Sequence, residues 1–190
     1  MERRVRDVDG QGPKGARAVK GGFRLFGILT LLLFLVDQLV KVWARSAANG
    51  IENTVLSSVW PNVFELKLVF NRGVAFGMFQ GAGLFLTPIA VGIIAVSIWY
   101  SWKHPNDKPL SHVTAALLAS GALGNMIDRI MHGQVTDIFW IRAINFPVFN
   151  VADICITVAG ALLVLGALGD MTGRKKDVPI EDATAAGQEA

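Results

Sequence analysis

Residues 23–43 read FRLFGILTLLLFLVDQLVKVW, and this apolar run decides the class of fold. A helix needs about 20 predominantly apolar residues to cross about 30 Å of hydrocarbon, and this run is long enough. Basic residues precede it, as they precede the core of a secretory signal, but the run is longer than a signal core and further apolar runs follow it. We therefore interpret it as a retained membrane anchor.

Three more stretches of this kind follow, at about residues 84–102, 110–131 and 151–169. Of the 190 residues, 52% are hydrophobic and only 17% are charged, and soluble domains rarely show that balance. The pattern predicts a membrane all-α fold, a bundle of four transmembrane helices over residues 23–169. The tails, residues 1–22 and 170–190, are rich in Gly, Ala and charge, so we expect them to be disordered.

The distribution of basic residues predicts the orientation of the bundle. Of the 18 Lys and Arg residues, 12 lie in the two tails, at Arg24 next to the first tail, or in the connection between the second and third spans. Because cytoplasmic segments are enriched in Lys and Arg, both termini are predicted to be cytoplasmic.

The connection between the first and second spans has a strand pattern. Residues 63–68 alternate apolar and polar side chains, residues 55–59 offer a partner strand, and Pro61-Asn62 suits the turn between them. A small β-sheet on the outer face is therefore expected. The third connection, about residues 132–150, is also too long for a simple turn between helices.

The predicted orientation brings the polar residues of all four spans to one level near the outer surface. Such groups are costly in hydrocarbon, so they should face the bundle interior or a wet cavity. Close helix approach is expected at the small residues Gly121, Gly124, Gly160 and Ala161. The polar residues at this level are Asp37, Lys41, Asn71, Arg72, Asn125, Asp128, Arg129, Asp137, Asn150 and Asp153.

Carboxylates are the strongest candidates for chemistry here. Cys155 has no accompanying base, and the three histidines form no ligand pair, so we expect neither a metal site nor a cofactor. Two aspartates brought together share a proton and can supply a base and an acid at once. The spacing leaves open which two residues form the pair, although it allows Asp137 and Asp153 to meet.

Other interpretations compete with a hydrolase. Asp37 and Lys41 are spaced i, i+4, which favours a structural ion pair within one helix. Intramembrane acids also serve as proton relays in transporters. A relay needs polar groups across the whole thickness of the bilayer, whereas these acids are all predicted to lie near the outer surface. A lipid- or peptide-binding scaffold would need the polar shell but no paired acids.

Five segments, in this order, resemble the bacterial lipoprotein signal peptidases, also called signal peptidase II. They are Asp37-Gln38 with Lys41, NRGVAFG at 71–77, GALGNMIDR at 121–129, GQVTD at 133–137 and FNVAD at 149–153. The resemblance implies an aspartic endopeptidase of the bacterial cytoplasmic membrane with four spans, a small outer sheet and an extra outer helix. It also implies substrates that are prolipoproteins with a diacylglyceryl-modified cysteine, cleaved just before that cysteine.

The resemblance also assigns roles to individual residues. It puts the catalytic pair on Asp137 and Asp153, and it gives Asp37 and Lys41 a structural role, tying the first span to the outer sheet. We further expect contact with membrane lipid, no nucleic-acid partner and a monomer. The polar shell that holds the substrate backbone falls on Asn71, Asn125, Asp128, Arg129 and Asn150.

Overall fold

The computed structural model describes the backbone of residues 15–73 and 86–173, and the side chains of residues 21–73 and 86–169. Within these ranges four helices are long and apolar enough to cross a membrane, which confirms the predicted bundle. The helices are α1 Gly15–Ala47, α2 Leu86–Lys103, α3 Pro109–His132 and α4 Val151–Gly173.

Both predicted tails are shorter than expected where the structure describes them. Helix α1 begins at Gly15 rather than near residue 23, and α4 continues to Gly173. Residues 15–20 include Ala, Arg and Lys, which favour helix, and extending an existing helix costs far less than nucleating one. Residues 1–14 and 174–190 lie outside the described residues, so the disorder expected there stays a prediction.

Three antiparallel strands form a sheet in the order β1-β2-β3: β1 Val55–Trp60, β2 Phe64–Asn71 and β3 Val135–Ile141. The first two strands confirm the predicted pair, and Asn62 adopts φ 62° in the turn between them. The third strand was not predicted, although its sequence VTDIFWI is rich in the β-branched and aromatic residues that favour strands.

The two faces of the sheet have different neighbours. Successive side chains of a strand point to opposite faces, so Asp137 and Ile138 of β3 face opposite ways. Ile138 and Leu68 are fully buried against Ala44 and Ala48, near the end of α1. The sheet is thereby fixed to one end of the helix bundle, which we call the sheet end, and its other face is left free to line a cavity.

The described residues on the sheet side include one short helical element. Among the described residues, the helical element outside the four long helices is a single 3-10 turn, Arg142–Ile144, directly after β3. Residues 74–77 of the second motif and residues 84–85 of the predicted second span lie outside the described ranges.

Close helix contact occurs at two of the four small residues predicted to allow it. A Cβ on Gly121 would lie 2.5 Å from the carbonyl oxygen of Ala152, and one on Gly124 would lie 2.4 Å from Oδ2 of Asp37. By contrast, no atom of the described residues lies within 4 Å of a Cβ built on Gly160, and Ala161 is exposed. The expectation for Gly160 and Ala161 was wrong, because the tight approach of α3 and α4 involves the first turns of α4.

Candidate active site

A cavity of about 770 Å³ opens between the sheet and the sheet ends of α3 and α4. Its polar wall holds five of the predicted site residues, and an apolar wall follows the loop before α4 and one side of that helix. The polar residues on the wall are Asn71, Asn125, Arg129, Asp137 and Asp153. Both predicted catalytic acids therefore face one space.

Asp137 reaches the cavity from β3. Its backbone pairs with Val69 of β2, and its side chain is almost completely buried. Oδ1 accepts a hydrogen bond of 2.7 Å from Nδ2 of Asn150, and Oδ2 accepts one of 3.3 Å from Nδ2 of Asn71. Two amide donors therefore hold the orientation of this carboxyl group.

Asp153 reaches the cavity from the first turn of α4, where it forms a capping box with Asn150. Oδ1 of Asn150 accepts from the backbone N–H of Asp153 at 2.9 Å, and Oδ2 of Asp153 accepts from the backbone N–H of Asn150 at 3.2 Å. This reciprocal pair satisfies two backbone donors at the start of the helix. Oδ1 of Asp153 is left to accept from Nδ2 of Asn125 at 2.8 Å.

Asn150 links the two acids. It is fully buried, and its Nδ2 donates to Oδ1 of Asp137 and, at 3.1 Å, to Oδ1 of Asn125. The side chain of Asn125 in turn donates to Asp153. One continuous amide network thus connects the carboxyl groups of Asp137 and Asp153.

The electrostatics of Asp137 favour its protonated form. Burial, and after it the nearby charge of Asp153, raise the pKa of Asp137 to about 7, against the opposing hydrogen bonds from Asn150 and Asn71. A carboxyl group that keeps its proton on a substantial fraction of molecules near neutral pH can donate it, while an ionised neighbour can accept one. The arrangement can therefore provide acid and base together.

Behind the cavity lies a buried ionic network built around Lys41. Its Nζ lies 2.9 Å from Oδ2 of Asp37 and 3.3 Å from Oδ2 of Asp128, and it donates to Oδ1 of Asn125 at 3.2 Å. Oδ1 of Asp37 accepts from the backbone N–H of Ala152 at 2.9 Å. Asp37 and Lys41 therefore join α1 to α3 and α4, rather than tying the first span to the sheet as the resemblance implies.

The link from the bundle to the sheet is made by other residues. Oδ2 of Asp128 accepts from the backbone N–H of Thr136 at 2.8 Å, and Nη1 of Arg45 donates to Oγ1 of Thr136 at 2.7 Å. Because Thr136 precedes Asp137, these contacts set the position of the strand that carries the acid. Arg45 was missed as a site residue, although it continues the i, i+4 series of Asp37 and Lys41.

Two residues of the implied substrate shell do not line the cavity. Asp128 and Asn150 are both fully buried. The side chain of Asn150 bonds to Asp137 and Asp153. Oδ2 of Asp128 contacts Lys41 and Thr136, and its Oδ1 lies 3.6 Å from Nη1 of Arg45. Both side chains contact protein groups rather than the cavity. Asn71, Asn125 and Arg129 do line the cavity, and the buried Nε of Arg129 has no hydrogen-bond partner among the described residues.

Glu52 is a further cavity residue that the sequence did not point to. It lies in the turn between α1 and β1, and its Oε1 accepts a hydrogen bond of 3.2 Å from the backbone N–H of Phe70. No sequence pattern marks it, because its position depends on the pairing of β1 with β2. Within the described ranges, no group of three or more His, Cys, Asp or Glu side chains is arranged to hold a metal ion.

Comparison with known proteins agrees with this geometry. The family model for signal peptidase (SPase) II matches residues 29–169. The lipoprotein signal peptidase of Lactococcus lactis is 38% identical over 150 residues, covering 75% of this chain and 95% of that protein. The corresponding protein of Symbiobacterium thermophilum is 37% identical over 140 residues, covering 73% and 90%.

A solved structure is also similar. A bacterial membrane enzyme, solved at 2.3 Å resolution, superposes with a TM-score of 0.71 at 26% sequence identity, covering 82% of this chain and 94% of that chain. The family model spans most of the chain, and the relatives are matched over nearly their full length. This chain is therefore a multi-pass membrane protein that belongs to the signal peptidase II family of peptidases.

Proposed function

We propose that this protein is an aspartic endopeptidase that removes the signal peptide from diacylglyceryl-modified prolipoproteins, cleaving just before the lipidated cysteine. One observation carries the proposal: the carboxyl groups of Asp137 and Asp153 line one cavity and are joined through Asn150. The names of the relatives supply the class of substrate. The paired acids supply a chemistry that needs no metal or thiol.

In the proposed mechanism, the pair begins the reaction with one shared proton. The ionised carboxylate removes a proton from water as the water oxygen attacks the scissile carbonyl carbon. The protonated carboxyl then gives its proton to the amide nitrogen, and the carbon–nitrogen bond breaks. The signal peptide leaves with a new carboxyl group, the lipidated cysteine gains a free amine, and the pair again holds one proton. Asp137 and Asp153 are interchangeable in these two roles.

Substrate binding is assigned to the remaining polar residues on the cavity wall. The side chains of Asn71, Asn125 and Arg129 would hold the extended backbone around the scissile bond. The apolar wall, which includes Phe146, Val148, Ile154 and Val158, would accommodate the acylated cysteine as it enters sideways from the lipid. Asp128 and Asn150 position the acids without touching substrate.

We assign the sheet end of the bundle to the outer face of the bacterial cytoplasmic membrane, with both termini in the cytoplasm and the protein acting as a monomer. The charge distribution of the connecting segments supports this orientation. In a Cys155→Ser background, a cysteine at the exposed Ser57 of β1 should react with an impermeant maleimide in intact cells. A cysteine at the exposed Asn106, between α2 and α3, should react only after lysis. The reverse pattern would overturn the assignment.

The activity is tested by replacing each acid with its amide. Purified Asp137→Asn and Asp153→Asn variants are compared with Asp107→Asn, which changes an exposed acid at the opposite end of the bundle. The substrates are a diacylglyceryl-modified precursor and the same precursor without lipid. We expect both dyad variants to lose cleavage, the control to keep it, and the unlipidated precursor to remain uncut. Normal cleavage by a folded dyad variant would refute the mechanism, and equal cleavage of both precursors would refute the substrate class.

A further inference from the structure

Glu52 is an acidic side chain on the cavity wall that the proposed catalytic chemistry does not use. Its side chain is 34% exposed, and its two oxygens have different environments. Oε1 accepts from the backbone N–H of Phe70 at 3.2 Å, whereas Oε2 lies 3.9 Å from Nη2 of Arg72, beyond hydrogen-bond distance. One oxygen is therefore committed to the sheet, and the other, on a residue that lines the cavity, makes a long ion pair with Arg72.

The bond to Phe70 has a local explanation. Backbone pairing between the first part of β1 and β2 reaches back to Asn53, whose N–H donates to the carbonyl of Leu68 at 2.8 Å. The next backbone N–H of β2 that points towards β1 is that of Phe70. If β1 were longer, one of its carbonyl oxygens would accept this hydrogen bond, and here the side chain of Glu52 accepts it instead. A neutral glutamine has the same acceptor oxygen, so this structural task does not require a charge.

The distance from Glu52 to the dyad follows from the sheet. Glu52 contacts one edge of β2, and β3, which carries Asp137, pairs with the other edge through Val69 and Phe70. With strands about 4.8 Å apart, the carboxyl groups of Glu52 and Asp137 are separated by about 8 to 10 Å. An extended peptide advances about 3.3 Å per residue, so Glu52 lies about three residues from the scissile bond.

The position of Glu52 also indicates which part of the substrate, before or after the scissile bond, would pass it. It comes after the end of α1 at Ala47, in the turn leading to the sheet, and so lies beyond the membrane-spanning segment. Under the proposed function the signal peptide stays in the bilayer, and the mature chain leaves past the sheet. The residues that pass Glu52 therefore belong to the mature side of the cleavage site.

We infer that Glu52 is a specificity residue that favours a basic side chain at the second or third residue after the lipidated cysteine. This inference rests on the proposed function and adds to it a preference for one class of substrate sequence. A lysine or arginine there would form an ion pair with Oε2 in a partly enclosed space. Arg72, which is 58% exposed, would compete with the substrate for the same oxygen.

The test uses three lipidated precursors that differ only at the third mature residue, which is Lys, Gln or Glu. For the wild-type protein, kcat/KM should be about fivefold higher with Lys than with Glu, as expected for a partly exposed charge pair. The difference should lie mainly in KM, because the contact is remote from the reacting bond. It should also diminish at high salt.

Two variants separate this role from a structural one. Glu52→Gln keeps an acceptor for Phe70 and removes the charge, so it should cleave the Gln precursor normally and lose the preference for Lys. Arg72→Gln removes the competing cation and should strengthen that preference. Wild-type protein that cleaves all three precursors equally would overturn the inference, and so would an unchanged preference in Glu52→Gln. Failure to cleave any lipidated precursor would instead contradict the proposed function.

Discussion

The side-chain amide of Asn150 donates a hydrogen bond of 2.7 Å to Oδ1 of Asp137, while its backbone and side chain exchange two further bonds with Asp153. One buried residue thus caps α4 and fixes the positions of the two acids relative to each other. Helix capping and orientation of the acids are separable functions of this side chain, because they use different atoms: Oδ1 for the cap and Nδ2 for Asp137.

Asn150→Ser should separate these functions. Serine is also a favourable N-cap residue, so the thermal unfolding temperature in detergent should fall less than it does in Asn150→Ala. Its hydroxyl is too short to replace the amide donor at Asp137, so we expect cleavage of the lipidated precursor to fall at least about tenfold, within the usual effect of losing a positioning contact. Asn150→Ala, which removes the cap as well, should lose both stability and activity. Full activity in the serine variant would show that the bond to Asp137 is dispensable.

The raised pKa of Asp137 predicts how stability depends on pH. Its folded-state pKa of about 7 lies above the ordinary aspartate value of 3.8. Between these two values the folded protein holds a proton that the unfolded chain has released, so stability falls as pH rises. The stabilising contribution is complete below pH 3.8 and is lost as pH passes through about 7. Thermal unfolding in detergent from pH 4 to 8 should show this decline, and Asp137→Asn should reduce it.

The same titration predicts an alkaline limit to activity. Above about pH 7 the dyad loses the proton that it must deliver to the leaving amide. The rate of cleavage of the lipidated precursor should therefore decline with an apparent pKa near 7, a macroscopic property of the pair. Activity that continues to increase up to pH 9 would contradict a dyad that works with one shared proton.

The sequence predicted the bundle well because membrane spans leave a strong compositional signal. The apolar runs, the first two strands and the gathering of polar residues at one end all follow from local pattern. The identity of the catalytic pair came from the resemblance, since Asp137 alone looks like a loop acid. Asp137 reaches α4 because it lies on β3. The position of β3 depends on its pairing with β2, which is more than 60 residues earlier in the chain, and no local sequence pattern indicates such a pairing.

The roles of individual shell residues were less predictable, because burial depends on packing. Asp128 and Arg129 are neighbours in one motif, yet Asp128 is buried against Lys41 and Thr136 while Arg129 faces the cavity. Residues adjacent on a helix point about 100° apart. Which of the two meets the cavity is decided by where α1 and β3 pack on α3.

The Lys41 network predicts unequal effects of two substitutions. Lys41→Met would leave the carboxylates of Asp37 and Asp128 without their shared buried cation, and breaking a buried pair costs about 3–5 kcal/mol. Asp37→Asn leaves Lys41 paired with Asp128 and should destabilise the protein less. The unfolding temperature in detergent should therefore drop further for Lys41→Met. Equal drops would indicate that Lys41 does not serve both acids.

The close contact at Gly121 leads us to predict that the spacing between α3 and α4 determines the position of Asp153. A Cβ at this position would lie 2.5 Å from the carbonyl oxygen of Ala152, the residue before Asp153. Backbone cannot rotate away as a flexible side chain can, so Gly121→Ala should push the first turn of α4 outward by about 1 Å, and a misplacement of that size can reduce activity about 100-fold. Gly27→Ala is the matched control, because a Cβ there meets no atom of the described residues within 4 Å, and it should be neutral or slightly stabilising. Unfolding temperature and cleavage rate, measured together, should both fall for Gly121→Ala. A folded, fully active Gly121→Ala variant would show that the contact between α3 and α4 does not determine the position of Asp153.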